Sequence, residues 1–571
     1  MNEKINYVAI LILFFSFSSV LYSQDQDTTQ TDLSISNNLS QYVKPSIFTV
    51  SGEAGAYGEL YSTSRGVARR PGSTGRLYLR PTFTFFNNFS ISLDLFVSTE
   101  GSDARQQINR FALNPSWSWG RAHIGDFNHR LSDFSLNGIN IRGGGIELYP
   151  GLFRFQAIGG QTRRAVVSGP YSSVYKQYLG AIKIGVGAEG GSYFDFNVVL
   201  ARDDSNSVPK STFIVDTTNS NGNPQIGVTP QENLLVGFNT DLKIVKNMLR
   251  LRGEGTVSIF TRDTYADKVD IDGFPSFMSN IFVPRTSSNA DFAYKGILDF
   301  KYDIFTSSFK YQVINPGYHS LGMTSVINDQ RKYGGRIGFR LLGNMLMLNL
   351  RYDAQNDNLL DQKNFTLDRN TYGFNAVIRP IHTLSIMFNL IQNKMFNDSA
   401  NDTTRIDSRV TTFNTNVSYH FLALDLRNSV MLGYSQQVSS NYNIYLGGDN
   451  VVTVKNIFGN LNTTINQIWS VSPGFTTVII DSWTGDTNQT ISFNLRVNGR
   501  FFRSKWNNSA TVSMSNSDYT KTIQLNLQST YRFTSTDMVK LKVRYSTTSY
   551  NQGSSENFWE NVASLSYIHR L

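Results

Sequence analysis

The sequence predicts an all-β protein: a large antiparallel transmembrane β-barrel of about 24–26 strands, with short periplasmic turns and long outer loops. Three observations point there. Apolar and polar residues alternate with a period of two along most of the chain. Short and long polar connections themselves alternate. Beyond the N-terminus, no window approaches the roughly eighteen uncharged apolar residues that a membrane helix needs.

Composition agrees with this reading. The apolar fraction is 40%, with 28 Tyr and 40 Phe among 571 residues. Soluble domains usually reach about 45–50%. A barrel wall exposes one face to lipid and one to water, so it has little compact core to fill. Cysteine is absent, which excludes disulfides, thiolate metal sites and a lipid-modified cysteine. The formal net charge is +9, but the basic residues fall on alternate strand positions instead of forming a run. That distribution predicts a charged interior surface and argues against nucleic acid as a partner.

The N-terminus has the form of a secretory signal, residues 1–23. Lys4 supplies the positive charge, Val8 to Phe17 the apolar stretch, and Ser23 the small residue before Gln24. Residues 24–45 are polar and acidic, and read as a flexible periplasmic segment. The barrel is expected over 46–571, with both termini periplasmic. Export without a stop-transfer helix leaves periplasm, outer membrane or medium, and the strand pattern selects the outer membrane of a Gram-negative cell. Outer-membrane lipid, lipopolysaccharide and the barrel-assembly machinery are the expected partners, together with a periplasmic or secretion-system partner.

The clearest hairpin lies near the end of the chain. Ile523, Leu525, Leu527, Tyr531 and Phe533 share one face, and Thr522, Gln524, Asn526, Gln528, Thr530 and Arg532 the other. Val539, Leu541, Val543 and Tyr545 then alternate with Lys540, Lys542, Arg544 and Ser546. Leu77 to Val97, Leu249 to Ile259, Ile337 to Tyr352, Leu384 to Leu390 and Ile491 to Val497 repeat the pattern. The count closes at 26 strands. Pro473-Gly474 leaves 24 open, because a proline there is either a turn or a ladder interruption.

The parity of each strand predicts which cations face the lumen. Arg250, Arg252, Arg336, Arg340, Arg351, Arg379, Arg496, Arg500, Arg532, Lys540, Lys542 and Arg544 are assigned inward as selectivity residues. Asp94, Asp195, Asp241, Glu254, Asp299 and Asp353 are the inward acids. Excess positive charge in a lumen concentrates anions and repels cations. The loop Tyr265 to Arg285 is unusually apolar for a solvated segment. Phe274, Phe277, Met278, Ile281 and Phe282 are therefore expected to narrow the pore or to meet a partner.

Gly125 to Gly160 is glycine-rich, and its apolar parity shifts after Gly143-Gly144-Gly145, which predicts a β-bulge or bend. The block IGDFNHRLSDFSLNGINIRGGGIELYPGLFRFQAIGGQTRRAV resembles the Gly-Asp … Arg-Gly strand–loop–strand signature early in large export barrels, pilus ushers and the type 9 secretion translocon. That resemblance implies a role in translocation. The terminal run Leu565, Tyr567 and Leu571 resembles the C-terminal assembly signal of outer-membrane barrels.

No enzyme is expected. Asp126, His129 and Asp133 form the one local cluster of titratable groups, without a nucleophile. The acidic outer loops lack calcium-loop spacing, and no cofactor or metal is assigned. The expected function is an outer-membrane channel for passive passage of polar or anionic solutes through a basic lumen narrowed by inward loops. A translocation component of a secretion system, or a structural or adhesive surface barrel, are the alternatives.

Overall fold

The computed structural model describes residues 47–571, apart from 101–108, 169–171, 210–226, 246–247, 271–280, 444–447 and 552–555. It is a single antiparallel sheet of 26 strands, each paired with its neighbours in sequence. The first strand, β1 (Phe48–Thr63), pairs with the last, β26 (Phe558–Arg570), from Glu53↔Arg570 to Thr63↔Glu560. The sheet therefore closes on itself as a barrel and leaves no edge. Connections at one end are tight, as at 86–88, 303–304, 382–383 and 424–425, while those at the other include 204–231, 262–287 and 315–329.

Which face is inside follows from packing. On β8 (Gln177–Gly187), Leu179 and Ala181 are buried in a core cluster, as are Val199 and Ala201 on β9 (Tyr193–Asp203). Their neighbours Ile182, Ile184, Phe194 and Phe196 are exposed. The strand registers carry this parity around the barrel, and the outward set includes Phe292, Leu298, Phe309, Phe493, Leu527, Leu541 and Leu565. An exposed row of this kind is stable against hydrocarbon and not against water. Outward aromatics cluster near the tight turns, as in the contacts Phe48–Phe85, Phe305–Phe339 and Trp469–Phe501. A second set, Tyr333–Tyr352–Tyr372, lies nearer the long loops. These are the two interfacial belts of a membrane barrel.

Pro473 lies inside β21 (Trp469–Asp481) and is not a turn. It interrupts the ladder to β20 (Gly448–Thr464), which skips between Asn460↔Gly474 and Thr463↔Val471. Pro81 and Pro115 leave the same gap in their ladders, because proline has no N–H to donate. The expected bulge at Gly143–Gly145 does not form. On β6 (Asn140–Leu148) the register runs unbroken from Gly120↔Leu148 to Asn128↔Asn140. What changes along β6 is its surroundings: Ile141 faces an apolar filling inside, whereas Ile146 and Leu148 take the outward parity.

The face assignment has a direct test. Leu541→Arg or Leu525→Arg should prevent membrane insertion, since a cation at mid-bilayer costs about 2–4 kcal/mol. Lys542→Glu should insert normally. Yield of heat-modifiable barrel in reconstituted vesicles measures both, and equal yields would reverse the faces.

Candidate functional site: a loop-filled lumen

The segment 129–139 leaves β5 (Gly120–Asn128), turns into the barrel and returns to β6. Leu131, Phe134 and Leu136 on it are buried against inward residues of the wall from Leu179 to Ile314. Polar anchors hold it as well. The Lys183 ammonium donates to the Leu131 carbonyl at 3.2 Å, and the Phe134 N–H to Glu254 at 2.8 Å. Lys295 pairs with both Asp133 and Glu254. A second loop, 315–329, lies on the first. The Tyr318 hydroxyl donates to the Phe134 carbonyl at 2.7 Å, Ser320 to the Ser135 carbonyl at 2.8 Å, and the Asn137 N–H to Gly322 at 3.0 Å. A Cβ at Gly322 would stand 2.2 Å from the Ser135 oxygen, so only glycine permits this approach.

The Gly-Asp … Arg-Gly signature sits at the base of this inward loop. Asp126 and Arg142 face each other across β5 and β6, with paired bonds of 2.7 and 2.8 Å. Asp126 also accepts the Phe111 N–H at 3.0 Å, taking the place of a ladder partner. Gly125 has φ +98°, and a Cβ there would meet the Phe111 carbonyl at 2.1 Å. The motif is thus a clamp that fixes where the loop departs and returns.

Below the loop the wall carries a buried ionic cluster. Arg154 on β7 (Phe153–Arg163) donates to Asp195 at 2.7 Å, and Lys183 reaches the same carboxylate at 3.1 Å. Glu147 accepts from Arg121 at 2.8 Å and lies against His123, His129, Tyr149 and Gln156. His123, His129 and Glu147 bring ligand-capable atoms within 4.8 Å of one another. The local cluster Asp126, His129 and Asp133 does not assemble. Asp126 binds Arg142, Asp133 binds Lys295 and Arg130, and His129 turns toward Glu147.

The predicted lumen residues divide into two groups. Arg250 is paired with Asp241 on β10 (Glu232–Val245), Arg252 with Asp299 at 2.6 Å, and Arg351 with Asp353. Arg336, Arg340, Arg379, Arg496, Arg500, Arg532, Lys540, Lys542 and Arg544 have no carboxylate partner among the described residues. Their registers place them on the inward parity. Glu147 escaped the sequence-derived set of inward acids, because the shift of apolar parity on β6 hid its orientation. Of the expected constriction loop, Phe274, Phe277 and Met278 lie outside the described residues. Phe282 is fully buried and Ile281 is exposed. Sequence reasoning missed the part of 129–139 that fills the lumen, although Leu131, Phe134 and Leu136 at irregular spacing between two strands were the available signal.

At the long-loop rim a cavity of about 890 Å³ is lined by Arg142, Arg163, Arg262, His319, Gln177 and Gln231 among others.

No protein-family model and no curated protein matches the sequence. Among solved structures the chain is similar to the P pilus usher translocation pore, at 10% identity and a TM-score of 0.37, over 92% of this chain and 100% of the usher pore. It is similar to OpdK of Pseudomonas aeruginosa with vanillate, at 12% identity and 0.29, over 60% and 93% of the two chains. Acinetobacter baumannii OccAB4 gives 12% and 0.30, over 67% and 98%. The closed sheet with its apolar outer belt defines this protein as a large β-barrel of the Gram-negative outer membrane. It is a 26-stranded barrel whose inner volume is partly filled by its own loops.

Anchoring by Asp133 sets a pH dependence. Burial alone would raise its carboxyl, but Lys295 and Arg130 outweigh burial and hold it below the usual range. A depressed carboxylate stabilises the folded arrangement above its unfolded pKa and loses that contribution as pH falls through the folded value. Hydrogen exchange of residues 129–139, corrected for intrinsic rates, should therefore stay slow from pH 8 to 5 and rise below about pH 4. Asp133→Asn should exchange several-fold faster at pH 7. Equal protection in both proteins would show that this ion pair does not hold the loop.

Proposed function

We propose that the protein is a passive channel for polar or anionic solutes. The observation that carries this reading is the uneven filling of the lumen. Among the described residues the apolar cluster and the buried paired charges occupy the wall from β5 to β13 (Phe305–Ile314). The opposite wall presents Asn389, Asn414, Asn416 and Asn456. It also presents the cations Lys540, Lys542 and Arg544 in a row on β25 (Asp537–Tyr550), with no carboxylate opposite. Along this side a solute meets amides and fixed positive charge. Cations without counter-charges raise the local anion concentration in proportion to exp(−zFψ/RT), and the loops restrict the cross-section over which that field acts. Selectivity then needs no covalent chemistry.

The tight turns face the periplasm and the long loops face outward in this reading, which leaves both termini periplasmic. Lipid and lipopolysaccharide surround the barrel. The clamp at Gly125-Asp126 and Arg142-Gly143 favours a second reading, a translocation pore whose loop leaves the lumen to admit a secreted chain.

Planar-bilayer recording under a KCl gradient separates the two. The channel reading expects steady current with a reversal potential on the anion side. Replacing Lys540, Lys542 and Arg544 together by Glu should move it to the cation side without loss of conductance. A wild-type barrel that is closed, and that opens only when 130–138 is deleted, would favour translocation. A cation-selective wild type would overturn the basic-lumen mechanism.

A further inference from the structure

We propose that His123 Nε2, His129 Nδ1 and Glu147 Oε1 form a binding site for a divalent transition-metal ion of the Zn²⁺, Ni²⁺ or Cu²⁺ class. The ion would latch the inward loop to the barrel wall. His123 and Glu147 belong to β5 and β6, whereas His129 is the first residue of the loop.

The hydrogen bonds decide which nitrogens are available. The Gln156 amide group donates to Glu147 Oε2 at 3.3 Å and to the Tyr149 oxygen at 2.5 Å, and Tyr149 in turn donates to Glu147 at 2.8 Å. With its NH₂ committed, Gln156 turns its carbonyl oxygen to His129 Nε2 at 3.1 Å. That contact is favourable only if Nε2 carries the proton. In the neutral ring the lone pair is then on Nδ1, which faces Glu147 Oε1 at 3.6 Å. His123 takes the same arrangement in the tautomer whose Nδ1–H donates to Asn114. Its Nδ1 lies 2.8 Å from the Asn114 carbonyl oxygen and its Nε2 lies 2.8 Å from the same Glu147 Oε1. Two imidazole lone pairs and a carboxylate oxygen thus converge, and all three atoms lie within 4.8 Å. Lone pairs facing a carboxylate oxygen in a site with little access to water are stabilised by a cation placed between them. Histidines whose outer N–H groups are held by amide oxygens are arranged as metal ligands usually are.

The geometry also limits the ion. Nitrogen and oxygen ligands at about 2.0–2.2 Å from a metal stand close to the spacing found here. Arg121 donates to Glu147 at 2.8 and 3.0 Å, so its positive charge opposes any ion held only by electrostatic attraction. Strong bonding to imidazole is required, which favours the late first-row metals and disfavours Ca²⁺ and Mg²⁺. Three protein ligands leave coordination positions for water. The three residues come from two strands and a loop, so no short sequence spacing announces the site.

The test uses full-length protein in detergent, without a histidine tag and stripped with chelator. Calorimetric titration should find one Zn²⁺ per chain and no response to Ca²⁺. His123→Gln and His129→Gln should each weaken binding at least tenfold, whereas His382→Gln in a distant tight turn should not. Zn²⁺ should also slow hydrogen exchange of residues 129–139 in the wild type and not in the two variants. Fewer than one ion per chain, or equal affinity in the His123→Gln/His129→Gln double variant, would overturn the proposal and leave a direct His123–Glu147 hydrogen bond. Neither readout depends on solute flux, so the outcome is independent of the channel reading.

Discussion

Hydrocarbon offers no partner to a peptide N–H or carbonyl, and this single constraint shapes the whole molecule. Each unsatisfied group inside the bilayer costs several kcal/mol, so a sheet can cross only if its last strand meets its first. The register from Glu53↔Arg570 to Thr63↔Glu560 provides that closure. The ladder tolerates few defects, and several of them fall at prolines. At Pro81, Pro115 and Pro473 the imide nitrogen cannot donate, and pairing resumes within a few residues. Near Pro473 the freed carbonyl accepts a side-chain bond from Asn460 at 3.3 Å.

Closure at this strand number creates a second problem, a wide interior. Among the described residues the chain fills it on one side. Between β5 and β13 the inner face carries small or apolar residues such as Leu179, Ala181, Val199, Ala201 and Ala293, which make room for the loops. Buried charges there are matched: Asp195 with Arg154 and Lys183, and Glu254 with Lys295. Removing one member of such a set strands the others in a dry site, at about 3–5 kcal/mol. From β16 (Leu367–Ile381) onward the inner face returns to Asn, Ser, Thr and unmatched Lys and Arg. The same barrel therefore has a solid half and a wet half.

The parts legible in the sequence were those with a strict period. Alternation of two is a local property, so strand existence, face and number could be read from pairs such as Leu541/Lys542. Proline at 473 is compatible in sequence with a turn or an interruption, and the ladder shows the interruption. The lumen filling was not legible, because it depends on which strands end up opposite residues 129–139. Lys183, Glu254, Lys295 and Tyr318 reach that loop from positions 52, 120, 162 and 184 residues away along the chain. For the same reason Arg250, Arg252 and Arg351 read simply as lumen cations, although folding gives each of them a carboxylate. The apolar loop around Phe274 stands out in the sequence by its composition. The shorter 131–136 run has ordinary composition and acquires its role from its surroundings.

The order of the contacts along the chain has a consequence for biogenesis. The hairpin of β5 and β6 is complete long before the surfaces that receive its loop, since these are spread from Leu179 to Tyr318. During secretion Leu131, Phe134 and Leu136 therefore emerge before the surfaces that cover them and must wait, in water or on a chaperone, until half of the strands have been threaded. Only the arrival of 315–329 seats the segment. A barrel arrested midway through its strands would thus present an apolar tongue, the kind of exposed surface by which quality-control proteases recognise an unfinished client.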